Sequence, residues 1–274
     1  MINLNEVKEI MTSTPLTVSV DTHATKVRSI LREDGYRSIP VVADNRLEGI
    51  ITRGDIMNIS ATKSNIDARG IMDHPQVITT PDADILDLSR KLIKADIKQA
   101  PVVESTDNMH LVGIVSVVDI LRKLLYNGAK PNYNSVGEIF TKDVVSCTFD
   151  EPISKIWDLM DETGFSGLPV NKNKKLIGII TRKDIINSGH IRIGKESGEI
   201  KRSIKVEKIM KTPPLVTTVE SKINEAAQIM IEYDIGRMPV VENPVYIKKE
   251  PNRAVKSDLI GIIAREDILW SYLG

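Results

Sequence analysis

Four short constellations in this 274-residue chain have the residue types and spacing to do chemistry. Thr52-x-x-Asp55 recurs as Ser116-x-x-Asp119, Thr181-x-x-Asp184 and Ala264-x-x-Asp267. A hydroxyl with a carboxylate three residues on admits two readings. In a capping box the hydroxyl accepts an N–H of the first helical turn and the acid complements the positive helix end. In a nucleotide site the free N–H groups of the helix start hold phosphate, while the carboxylate accepts hydrogen bonds from the ribose hydroxyls, as the acidic residue of dinucleotide folds does. Capping boxes are common helix-start signatures. The fourth copy pulls the other way, because Ala264 cannot cap and Asp267 is still present.

The elements that must position these residues are written four times. Each copy opens on an apolar pair: Ile10-Met11, Ile71-Met72, Ile139-Phe140 and Ile209-Met210. Each then reaches Ile39-Pro40-Val41, Ala100-Pro101-Val102, Leu168-Pro169-Val170 or Met238-Pro239-Val240, and the interval to the proline is 29 residues every time. Gly49, Gly113, Gly178 and Gly261 each precede the aspartate by 6 residues. A repeat this regular fixes the architecture as an array of like units. Units of about 60–70 residues are marginal alone and favour pairing to share a core.

In the first copy Leu16 to Val20 reads as a short strand, and Asp21 or Thr22 as a helix cap. Ala24, Val27, Ile30 and Leu31 share one helical face, and Gly35 ends that helix. Ile39 to Val42 is a second strand, whose proline should open it or lie on an edge. Asp44-Asn45-Arg46 is a turn, Leu47 to Ile51 a third strand, and Thr52 starts a second helix through Ile56 and Ile59. The order is strand-helix-strand-strand-helix, an α+β unit. Corresponding helix faces are Ile85, Leu88, Leu92 and Ile93; Ile153, Ile156, Leu159 and Met160; and Ile223, Ala226, Ala227, Met230 and Tyr233. The expected domains are 1–60, 61–126, 127–190 and 200–274. Turn formers from Tyr126 to Ser135 mark the boundary between halves, and a charged stretch from Gly189 to Ser203 links the last two units. The fourth unit carries an insertion, Glu242 to Asp258, expected to form an exposed loop or hairpin.

Composition excludes several classes. Lys+Arg and Asp+Glu are both 37, a net charge of zero, which argues against nucleic-acid or acidic-membrane binding. The one cysteine, Cys147, allows no internal disulfide and reads as buried packing rather than a nucleophile. Met1 to Lys8 do not resemble a signal peptide, and no apolar stretch approaches the ~20 residues of a membrane span. The expectation is a cytoplasmic protein. His23, His74, His110 and His190 lack metal-ligand spacing. Trp157 is read as partly exposed, and Trp157 and Trp270 form no stacking series for single-stranded nucleic acid. The run from Lys195 to Lys208 includes Glu196, Glu199 and Glu207 and reads as a solvated linker.

Together the Ile-Met opening, the apolar-Pro-Val strand and the Gly-x-x-Thr-x-x-Asp ending resemble the cystathionine-beta-synthase (CBS) domain, in all four units. Four-domain chains of this kind resemble the regulatory gamma subunit of AMP-activated protein kinase and its stand-alone archaeal relatives. The resemblance implies two pseudo-twofold modules of paired domains, packed into a flat disc or dimerised, with adenosine ligands in the clefts between paired domains. It assigns ribose to Asp55, Asp119, Asp184 and Asp267, and phosphate to Thr52, Ser116 and Thr181. Ala264 departs from that pattern and puts phosphate binding at the fourth site in doubt. The basic positions two or three residues before each proline, Arg37, Lys98 and Arg237, would meet phosphate, a guanidinium bidentately. The third unit has Ser166 and Gly167 there. Adenine would lie near Thr17, Ile78, Ser146 and Val216, whose other reading is ordinary core or edge. The chain thus reads as a non-catalytic sensor of AMP, ADP or ATP, an energy sensor with no catalytic cofactor, acting through linkage on a separate effector protein. Two alternatives are a sensor of S-adenosylmethionine or methylthioadenosine, which would leave the basic residues idle, and a nucleic-acid-binding CBS protein using the lysines of the linker and insertion.

Overall fold

The computed structural model describes residues 6–33, 36–57, 65–188 and 204–273. Gly35, Ile59, His190 and the Gly189–Ser203 linker, with most of the Lys195–Lys208 run, lie outside the described residues. The first unit contains β1 (Val18–Ser19), α1 (Ala24–Glu33), β2 (Ser38–Ala43), β3 (Arg46–Thr52) and α2 (Arg53–Met57). The second contains α3 (Ile85–Lys94), β4 (Gln99–Val103), β5 (Leu111–Ser116) and α4 (Val117–Tyr126). The third contains β6 (Cys147–Thr148), α5 (Ile153–Thr163), β7 (Gly167–Lys172), β8 (Lys175–Thr181) and α6 (Arg182–Asn187). The fourth contains α7 (Ile223–Glu232), β9 (Arg237–Ile247), β10 (Glu250–Ala264) and α8 (Arg265–Trp270). The α+β order matches the reading of the repeat.

Several local expectations need correction. The first strand is two residues long rather than five, and in the second and fourth units it shrinks to the single bridges Thr79↔Val102 and Thr217↔Val240. Helix α1 starts at Ala24, past the expected caps, and the Ala24 N–H donates to the Ile66 carbonyl instead. Pro40 lies inside β2 and does not open it. The missing N–H costs nothing there, because β1 pairs only with Val41 and Val42, beyond the proline. Asp44 and Asn45 turn with φ of 48° and 63°, as do Asn173 and Lys174 at 50° and 63°, the left-handed pair that a tight hairpin requires. Trp157 is 2% exposed, because it faces a second unit's helices rather than solvent. Tyr233 falls off the buried face of α7, at its end, beneath the Arg253 guanidinium.

The two ends of the repeat motif meet across units. A Cβ on Gly49 would come 2.7 Å from Met72 Sδ, one on Gly113 2.8 Å from Met11 Sδ, and one on Gly178 2.9 Å from Met210 Sδ; on Gly261 it would collide with the Phe140 ring. Units 1 and 2 therefore form one module, and units 3 and 4 the other. The backbone repeats the pattern in the bridges Thr12↔Ile114, Ile50↔Asp73, Thr141↔Ile262 and Ile179↔Lys211. The leading turn of each unit is also exchanged. Val7 packs with the second unit's core and Ala68 with the first; Val136 packs with the fourth and Val206 with the third. Packing boundaries thus differ from the sequence boundaries.

The helices join the modules. Buried residues of α1 (Ala24, Val27, Leu31) share a cluster with α5 (Ile153, Ile156, Trp157, Met160) and α6. Those of α3 and α4 share another with α7 and α8. Unit 1 thus packs on unit 3 and unit 2 on unit 4, and the four surround a common centre. The fourth-unit insertion is a hairpin extension of β9 and β10, and it is not wholly exposed. Ala254 is fully buried against Leu176, Val216 and Val241, and β10 pairs with β8 through Ser257↔Leu176. Among the described residues no helix is long and apolar enough to cross a membrane.

Candidate ligand-binding site

Each aspartate is held by the start of the helix that carries it. Oδ2 of Asp55, Asp119, Asp184 and Asp267 accepts the backbone N–H three residues earlier, at 2.6, 2.9, 2.9 and 2.7 Å. The hydroxyls of Thr52, Ser116 and Thr181 donate to the same oxygen at 2.8, 2.6 and 2.5 Å. The capping geometry is therefore real, and Asp267 makes the half of it that needs no hydroxyl. A carboxylate has two acceptor oxygens, so capping through Oδ2 leaves Oδ1 for another partner. Oδ1 of Asp119 faces Arg122 at 3.4 Å, and Oδ1 of Asp184 faces Lys211 at 3.5 Å.

Lys211 belongs to the sister unit, and it follows that unit's apolar pair. Asp73 occupies the same place opposite Asp55, where the Ile50↔Asp73 bridge matches Ile179↔Lys211. The two clefts are therefore unlike. Burial raises the Asp55 carboxyl above its ordinary value, and Asp73 adds to that rise. Burial likewise pushes Asp267 up to about 6, against the Ala264 N–H, which lowers it. The thiol of Cys147 is pushed by burial to about 12, which removes it as a nucleophile at neutral pH.

The basic residues converge. A cavity of about 190 Å³ at the centre is lined by Arg37, Lys98 and Arg237, together with Ser166, Ser116 and Asp119. One position from each unit thus reaches the same space. Thr52, Asp55, Thr181, Asp184 and Asp267, at their own helix starts, do not line it. Thr17, Ile78 and Ser146 are partly buried on the first-strand segments, with Asn171 donating to Ser146 Oγ at 3.0 Å. Val216 lines a separate cavity of about 350 Å³ with Thr217 and Ala226. It is 2% exposed, packed with Ala254 of the hairpin insertion, and its N–H donates to the Asn252 carbonyl.

Sequence reasoning passed over Arg53, Arg182 and Arg265, each the residue after the hydroxyl position; the second unit has Val117 there. Their recurrence in three of four copies was the available signal. Arg182 spans the module interface, with Nη1 2.8 Å from where a Gly54 Cβ would be, and it donates to the Met160 carbonyl at 2.6 Å. Burial depresses all three guanidiniums, Arg53 and Arg265 to about 10. Arg265 is 2% exposed, donates from Nη2 to the Met230 carbonyl at 2.6 Å, and has no partner for Nε or Nη1. A buried cation with open donors is costly unless an acceptor completes it.

A family model described as the CBS domain matches residues 7–62, 68–126, 136–190 and 206–274. The chain is 28% identical over 279 residues to protein MJ1225 of Methanocaldococcus jannaschii, covering 93% of this chain and 94% of that one. The crystal structure of MJ1225, described as a proposed archaeal homologue of gamma-AMPK, superposes with a TM-score of 0.80 at 26% identity, over 97% of this chain and 99% of that one. A conserved protein of Pyrococcus horikoshii has the same fold, with a TM-score of 0.65 at 22% identity over 97% and 98%. Protein MJ1404 of M. jannaschii is 28% identical over 97% of this chain, which spans only 62% of that longer protein.

Proposed function

Because the chain belongs to the CBS domain family, with the domain matched four times along it, we propose that it is a non-catalytic regulatory protein that senses adenine nucleotides (AMP, ADP or ATP) in the clefts between paired domains. The observation that carries this reading is the convergence of Arg37, Lys98 and Arg237 on one cavity that Ser116 and the helix-start carboxylate of Asp119 also line. Charge-assisted donors suit phosphate. The Oδ1 of a capping aspartate suits a ribose hydroxyl, displacing Arg122 at Asp119 and Lys211 at Asp184. The output is linkage: a nucleotide spanning two units favours whichever module arrangement it binds better, and a separate effector protein reads that arrangement.

A second reading rests on the Asp55 cleft. There Asp73 adds a second carboxylate, which would favour a cationic adenosyl compound such as the sulfonium of S-adenosylmethionine over a phosphorylated one. One experiment separates the two. AMP or ATP should raise the melting temperature more than S-adenosylmethionine, with about 2.7 kcal/mol of stabilisation at a hundredfold excess over Kd. Asp184→Ala should lose much of that gain, beyond the roughly 0.5–2 kcal/mol that a lost cap removes without ligand. No shift with any adenine nucleotide at millimolar concentration would sink the proposal, and a larger shift with S-adenosylmethionine would favour the second reading.

A further inference from the structure

The central cavity contains acids as well as bases. Asp234 Oδ1 lies 2.5 Å from Arg37 Nη2 and 3.2 Å from Arg265 Nη2, and Glu266 lies 3.7 Å from Lys98 Nζ. Arg37 and Lys98 belong to the first module, and Asp234 and Glu266 to the second. Among the described residues these are the ion pairs that join one module to the other. Asp234 sits five residues before its proline with φ of 48°, where the third unit has Gly164 at φ of 72° and the first unit has Gly35 in sequence. The second unit has Asp96 there at φ of 51°, so the turn itself accepts an aspartate, and what sets Asp234 apart is its pairing with Arg37 and Arg265. Arg237 makes no ion pair among the described residues and lies over the Phe165 ring. Arg237 is thus the guanidinium left for one phosphate group while Arg37 and Lys98 are engaged; Arg265 lines the same cavity, but its unpaired Nε and Nη1 are buried.

We propose that Asp234 and Glu266 are internal counter-anions that set how many phosphate groups the centre accepts. With both in place the centre takes a single phosphate, on Arg237. A chain of phosphates binds only by displacing them from Arg37 and Lys98, which breaks the ion pairs between the modules. Ligand charge is thereby coupled to the module interface. The inference rests on the nucleotide reading for its biological ligand, but its chemistry concerns phosphate alone and is tested without adenosine.

The test compares wild type with Asp234→Asn, Glu266→Gln and the double variant at fixed ionic strength. Asparagine tolerates the left-handed backbone, and circular dichroism checks that each variant is folded. Thermal shift and calorimetry are read with orthophosphate and with inorganic tripolyphosphate, then with AMP and ATP. The double variant should bind tripolyphosphate at least about tenfold tighter than wild type, with orthophosphate changing less than about threefold. Equal gains for both probes would mean a general loss of negative charge and would overturn the proposal, as would no gain or no phosphate binding at all. If the inorganic contrast holds while AMP and ATP fail to bind, the counter-anion role stands and the nucleotide reading falls.

Discussion

Asp267 shows how one residue can serve both fold and site. Its carboxylate accepts the Ala264 N–H through Oδ2, and burial pushes its pKa up to about 6. A carboxyl whose folded value exceeds its unfolded one binds more protons in the native state, so stability falls as pH rises between about 4 and 6. The loss is up to roughly 2–3 kcal/mol, at about 1.4 kcal/mol per unit. Urea denaturation at pH 4 and pH 7 should show this fall in wild type and a smaller one in Asp267→Asn. An identical pH dependence in the two proteins would mean that Asp267 is ionised normally when folded. The three other carboxylates share the cap but differ in what faces Oδ1: Arg122 at Asp119 and Lys211 at Asp184. Four aspartates in one register therefore do not make four equal sites.

At the scale of elements, the glycine and the apolar pair are two halves of one contact. Strand β10 comes so close to Phe140 and the Thr141 carbonyl that a Gly261 Cβ would lie 2.7 Å from that oxygen. Strand β3 has the same relation to Met72, where thioether flexibility gives some relief. Overpacking of this kind typically costs about 1–3 kcal/mol. Gly261→Ala should therefore lower the melting temperature more than Gly49→Ala, since an aromatic ring yields less than a methionine. Equal and negligible effects in differential scanning fluorimetry would show that the strands separate freely. The hairpin of β9 and β10 is a different kind of element. It belongs to one unit only, it buries Val216 and Leu176 with Ala254, and so it makes the fourth unit's first-strand face unlike the others.

Across the whole molecule, the helix faces decide the assembly. Leu31 and Ile56 of the first unit, and Leu88, Leu121 and Leu124 of the second, are essentially fully buried, and their clusters are completed by α5, α6, α7 and α8. A fragment ending at residue 134 would expose both faces. An exposed apolar area of that kind drives association, so the fragment should sediment as a dimer or larger species. A monomer at micromolar concentration in analytical ultracentrifugation would contradict the view that the second module completes the first. The same reasoning places the cationic centre. Arg37, Lys98, Arg237 and Arg265 reach one cavity only because all four helix pairs close around it.

The sequence alone determined the unit and its count, because a period of apolar pair, Pro-Val strand and glycine-aspartate ending is a local pattern that each copy must satisfy for itself. It also located the four aspartates and the basic positions before the prolines, since helix starts and strand starts are legible from neighbouring residues. The division into halves was legible at Tyr126 to Ser135, but the contact that pairs the units was not: the reciprocity of Met72 with Gly49 and of Phe140 with Gly261 joins distant segments, and every copy carries both halves. The exchanged leading turns were hidden for the same reason, as was the burial of Trp157 beneath a different unit's helices. Only the tertiary structure showed that Arg265 is buried with open donors, and that Asp234 and Glu266 reach across to Arg37 and Lys98. Electrostatic partnership depends on distances of a few ångströms between charges, and no spacing along a chain encodes those distances between residues 37 and 234.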